Sequence, residues 1–155
     1  MTINPISDIN EFWLGASLES PDAAAARRDW WYKGGATVDD EIRAKFGDLV
    51  PQAYDQGLTT WRETPDGALA LILLLDQFTR NLYRFSTGAY AGDAHAFEVV
   101  NWVIDRGLDR DLPPVSRIWL YHPFHHSEQI DAQGQGLALL DNVLSTAPPE
   151  WHGYV

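Results

Sequence analysis

Residues 68–75 read ALALILLL, apolar on every side of a helix, and the same helical run continues through Asp76, Gln77, Phe78, Thr79, Arg80, Asn81, Leu82, Tyr83 and Arg84. A helix that is apolar all round is buried, so the polar residues that follow begin inside the core or at its edge. Charge in such a position is costly unless it is partnered. The chain therefore has to fold so that hydrogen-bonding groups meet this helix. The segment Tyr121-His122-Pro123-Phe124-His125-His126-Ser127-Glu128-Gln129 carries side chains able to do so.

The punctuation around this helix predicts further helices throughout. Ser7 or Asp8 is the expected cap of a first helix with Ile9, Phe12 and Trp13 at i, i+3, i+4 spacing. Ser20-Pro21-Asp22 opens a second, which Gly34-Gly35 breaks after Trp30, Trp31 and Tyr32. Asp39 or Asp40 begins a third, ending at Gly47, and helical periodicity resumes from about Leu49 to Arg62 despite Gly57. Thr64-Pro65-Asp66-Gly67 caps the long helix, which runs to about Arg84. The next runs from about Ala89 to Arg106 and stops at Gly107. Asp111-Leu112-Pro113-Pro114 opens another, and Pro123 disfavours helical backbone at His122. Ser127 caps a final helix through Ile130, Leu137, Leu140 and Val143. No stretch alternates with period two long enough to make a strand. The expected fold is all-α, a single domain over residues 1–155 with about seven helices, short loops and antiparallel neighbours.

Composition narrows the function classes. With 155 residues the chain is long enough to bury a core without staples, and with no Cys it has neither disulfides nor thiolate chemistry. Twenty-two acidic residues against 11 basic ones set the net charge at −11, which repels a phosphate backbone, so nucleic acid is not an expected partner. The start, MTINPISDINEF, lacks the basic and apolar regions of a signal peptide, and ALALILLL is too short to cross a bilayer. A cytoplasmic protein without a membrane partner is expected.

LALILLLDQFTRNLYR, then Ala-Tyr-Ala-Gly-Asp at 89–93, then LYHPFHHSEQ together resemble the bacterial family called domain of unknown function 924. In that family an LLLDQFPRN-type segment precedes an aromatic-rich turn and, about forty residues on, an HSE segment near a Gln. The resemblance extends from Phe12-Trp13 to about Leu140 and implies a tetratricopeptide-like array of helices, without naming a reaction. Thr79 stands where the family usually has Pro, which implies a less kinked helix. The family also usually continues into a further helix with a basic end, whereas this sequence stops at Trp151-His152-Gly153-Tyr154-Val155, so that helix is expected to be absent.

Spacing assigns candidate chemistry. Asp76 and Arg80, Gln77 and Asn81, and Arg80 and Arg84 are i, i+4 neighbours, with Tyr83 two turns after Asp76. They can form a structural tie between helices, or Arg80 can present its fork to a ligand carboxylate or phosphate. The leading expectation is a site for a small anionic or peptide ligand between segments 76–84 and 122–129, built from Asp76, Gln77, Arg80, Asn81, Tyr83, Arg84, His126 and Glu128. A second reading is a hydrolase in which His126 works with Asp76 or Glu128 as general base, with or without a metal. A third is a scaffold that binds a protein partner or a second copy of itself. His122, His125, His126 and Glu128 are zinc-type residues, but their spacing is not HExxH and Pro123 breaks the helix, so no metal or other cofactor is expected. The aromatic run Trp30-Trp31-Tyr32 is expected to pack the second helix against the rest.

Overall fold

The computed structural model describes residues 4–155; the start of the chain, read above as lacking a leader, lies partly outside them. Every regular element among the described residues is helical. Helix α1 (Pro5–Leu14) starts earlier than expected, because Asn4 rather than Ser7 or Asp8 is its cap and accepts the Ser7 N–H at 3.3 Å. Helix α2 (Pro21–Lys33) is capped by Ser20 as its sequence indicates, with Oγ accepting from Ala23 N–H. Helix α3 (Gly35–Phe46) begins four residues before Asp39, since the positive φ of Gly35 lets the chain turn and resume helix at once.

The stretch expected to be helical from Leu49 to Arg62 is not one helix. Helix α4 (Leu49–Tyr54) stops where Gln56 takes a positive φ, and a 3₁₀ turn at Thr59–Glu63 follows. The long helix is continuous but not regular. It comprises α5 (Pro65–Ile72), capped by Thr64, then a π-helical segment at Leu73–Phe78, then α6 (Thr79–Leu82). A π turn carries an extra residue, so the side chains after it point elsewhere than a plain α-helix would aim them. Thr79 donates its hydroxyl hydrogen within this irregular turn, with the carbonyls of Leu75 and Asp76 both 3.1 Å away.

Helix α7 (Asp93–Asp105) starts four residues after the expected Ala89, behind a 3₁₀ turn at Thr87–Tyr90. Helix α8 (Pro114–Leu120) ends at Tyr121, and α9 (His122–His126) restarts with Pro123 in its first turn, so the expected break precedes the proline. Helix α10 (Ile130–Thr146) begins after Ser127, whose Oγ accepts the Gln129 N–H instead of capping a helix. Its buried residues are Ala132, Gly136 and Val143, whereas Ile130 and Leu137 are 84% and 63% exposed.

One apolar core joins these elements, with Leu69–Leu75 and Phe78 at its centre. Trp13 is fully buried among Trp30, Trp31, Trp119 and Phe78, all with ring centroids within 6.5 Å of its own. Trp31 donates its indole N–H to the Trp13 carbonyl at 2.8 Å, so the aromatic run does pack α2 onto the core. No helix among the described residues is long and apolar enough to cross a membrane.

Gly92 sets the approach of α7 to the long helix. A Cβ there would lie 2.2 Å from the Leu75 carbonyl oxygen, and backbone cannot yield as a flexible side chain can. Gly92→Ala is expected to destabilise the fold by about 1–3 kcal/mol, the range of overpacking a tight core contact, as read from denaturant unfolding of the two proteins.

Candidate functional site

Asp76 lies in the π-helical segment and is 2% exposed. A carboxylate so placed requires donors. His126, at the end of α9, supplies one: its Nδ1 is 2.8 and 3.0 Å from the two Asp76 oxygens. Arg80, one turn on, supplies another, with one terminal nitrogen 3.1 Å from Asp76 Oδ1 and 2.6 Å from the Asp76 carbonyl. The same guanidinium then forks onto Asp93 at the start of α7, with bonds of 2.8 and 3.0 Å. Two arginine–carboxylate contacts and one imidazole–carboxylate contact thus tie α9 and α7 to the long helix.

The ring of His126 is oriented by this arrangement. In the neutral tautomer that donates Nδ1–H to Asp76, Nε2 carries the lone pair, and Nε2 makes no hydrogen bond among the described residues. The side chain is 27% exposed and lines a cleft of about 760 Å³. Arg80, Tyr90, Asp93, Phe97 and Glu128 are other parts of its wall, and Tyr90 lies beside the Arg80 guanidinium at 5.4 Å.

The expected site residues fall into two groups. Asp76, Arg80 and His126 converge, and Glu128 joins them at the cleft. Gln77, Asn81 and Arg84 do not line it; Asn81 and Arg84 meet Asp39 of α3 instead, and Gln77 joins them through Asn81. Arg84 holds Asp39 at 2.6 and 3.1 Å, Asn81 donates to the same carboxylate at 2.9 Å, and Gln77 donates to Asn81 at 2.8 Å. The Asp39 carboxylate raises the Arg84 pKa by hydrogen bonding, the signature of a tie between helices. Tyr83 packs beside Gly88, away from the cleft wall. Asp93, the second partner of Arg80, was not singled out by spacing, although it closes the Ala-Tyr-Ala-Gly-Asp turn. Asp39 was read only as a helix start.

His122 and His125 stand apart from Asp76. His122 stacks on Trp119 with centroids 4.2 Å apart and sets Nδ1 2.8 Å from the Ile118 carbonyl. Burial pushes its pKa down to about 4, with the neighbouring His126 adding to the shift and the Ile118 carbonyl opposing it. Burial lowers His125 as well. Among the described residues no three His, Asp or Glu side chains converge into a set able to hold a metal ion.

The match to the family described as "bacterial protein of unknown function (DUF924)" spans residues 9–152. The chain belongs to that family. A solved structure, of a protein of unknown function from Agrobacterium tumefaciens, is 31% identical to it with a TM-score of 0.77. The likeness covers 96% of this chain and 77% of that one. None of the curated proteins matches. This DUF924 member shares the all-α fold of that neighbour.

The low pKa of His122 has a consequence for stability. An unfolded imidazole takes up a proton near pH 6.5, and folded His122 refuses it until about pH 4. The contribution is whole above pH 6.5 and is lost as pH falls from 6.5 towards 4. In an NMR titration of the imidazole protons, the His122 resonances are expected to hold still through pH 6 and move only near pH 4.

Proposed function

We propose that the cleft beside Asp76 and His126 is a hydrolytic site for a small peptide-like substrate with a free amine. The observation that carries this reading is the buried carboxylate of Asp76 on Nδ1 of His126, which leaves Nε2 as an unpaired acceptor at the cleft wall. A carboxylate–imidazole pair of this kind fixes the tautomer and stabilises the imidazolium that forms when Nε2 takes a proton. The nucleophile in this reading is water. Nε2 removes its proton as the oxygen attacks the substrate carbonyl, and the same imidazolium returns the proton to the leaving amine.

Charge at the cleft supports the substrate class. Asp93, Glu98 and Glu128 face it against the one guanidinium of Arg80, which is itself bound to two carboxylates. Such a wall attracts an amine more than an anion, and Tyr90 and Phe97 offer surface for an apolar side chain. Anion capture by Arg80 has less support for the same reason. The helical succession with short connections is in keeping with a tetratricopeptide-like array, and the acidic, cysteine-free composition with a cytoplasmic protein.

The test is hydrolysis of aminoacyl esters and unblocked dipeptide amides by the wild type, His126→Ala and Ser127→Ala. His126→Ala is expected to lower the rate roughly 10²–10⁴-fold, the usual worth of a positioned base, while Ser127→Ala keeps it. Wild-type protein inert towards every such probe, or a His126→Ala rate equal to the wild type's, would overturn the proposal.

A further inference from the structure

A second arginine sits in the opposite electrostatic situation. Arg117 of α8 is 6% exposed, yet no carboxylate among the described residues lies within ion-pair distance of it. Its partners are neutral. Nε and one terminal nitrogen donate to the Tyr121 hydroxyl at 3.2 and 3.1 Å, and that same terminal nitrogen donates to Asn142 Oδ1 at 3.0 Å. The other terminal nitrogen donates to Thr146 Oγ1 at 3.1 Å. Asp109 is reached only through Tyr121, whose hydroxyl donates to it. These bonds use four of the five guanidinium N–H groups, leaving one on the nitrogen that meets Thr146.

Arg117 borders a cleft despite its burial. Arg117, Asn142 and Thr146 line a cleft of about 510 Å³ between the start of α8 and the end of α10. Arg110 brings a second guanidinium, exposed and without an ion-pair partner among the described residues. None of the side chains lining this cleft is acidic, in a protein of net charge −11. Leu112, Val143 and Pro148 supply apolar walls. The guanidinium meets its nearest carboxylate, Asp109, only through the Tyr121 hydroxyl and keeps one N–H unused, so an oxyanion in the cleft can accept from it directly.

We propose that this cleft binds a small oxyanion, the carboxylate or phosphate group of a small molecule, on Arg117 and Arg110. The site is separate from the one at Asp76 and His126, and it lies where neutral donors and two cations offset the repulsion of the acidic surface. Larger polyanions are disfavoured by the rest of that surface.

The experiment follows thermal unfolding and titration calorimetry with inorganic phosphate, acetate and chloride at matched ionic strength. Phosphate or acetate is expected to raise the unfolding midpoint where chloride does not; acetate acting alone identifies a carboxylate site, phosphate acting alone a phosphate site. Arg117 is too buried for its removal to be clean, so two milder variants carry the test. Arg110→Ala, at an exposed residue, is expected to weaken binding about tenfold, the loss of one charged contact. Ala147→Glu, which places a carboxylate on the cleft wall, is expected to abolish the response. His126→Ala is expected to respond as the wild type does. Stabilisation no greater than chloride's, or a response unchanged in both Arg110→Ala and Ala147→Glu, overturns the proposal.

Discussion

A carboxylate inside an apolar core has to be answered by donors, and in this protein Asp76 is that carboxylate. It sits where the fully apolar half of the long helix turns polar, in a π-helical segment that breaks the regular register. His126 and Arg80 answer it, and each brings another element along: His126 brings α9, and Arg80 extends the network to Asp93 and so to α7. Gly92, immediately before Asp93, lets α7 touch the Leu75 backbone closely enough for that pair to form. The cleft beside His126 lies where that buried charge is compensated. Removing a member of such a network leaves an uncompensated buried group, which costs far more than a surface pair is worth.

Three arginines, Arg80, Arg84 and Arg117, differ in how their charge is met. Arg80 is held between two carboxylates, Arg84 is paired with Asp39, and Arg117 has hydroxyl and amide oxygens alone in direct contact. The first two knit α7 and α3 to the long helix. Sequence spacing groups Arg80 and Arg84 as neighbours one turn apart, but the structure sends them to opposite purposes, one to the cleft and one to α3. The electrostatic argument for an anion thus moves away from Arg80 and towards Arg117.

Much of the architecture was legible in the chain. Ser20 and Thr64 cap the helices that follow them, because a hydroxyl before Pro at the first helical position satisfies N–H groups left free at a helix start. The apolar run 68–75 was bound to be central, and the aromatic residues around Trp13 to be core. Boundaries were less legible where a single backbone angle decided them: Gln56 at positive φ ends α4 early, and Gly35 at positive φ starts α3 early. The long helix read as regular, and the absence of Pro at Thr79 suggested little distortion, yet a π turn lies immediately before it. Periodicity averages over several turns and does not register one extra residue.

By itself the sequence determined that the chain is helical, that its longest apolar run lies at the centre, and that Asp76 would need a donor. These follow from local rules: helix periodicity, capping and the cost of buried charge. Only the tertiary structure decided which donors answer. Asp76 and His126 are 50 residues apart, Arg84 and Asp39 are 45 apart, and Arg117 and Thr146 are 29 apart. Such pairs carry no spacing rule, because they form only when helices distant in the chain pack side by side and desolvate the same few polar atoms together. The choice of partner is a property of that packing, and with it the placing of both clefts.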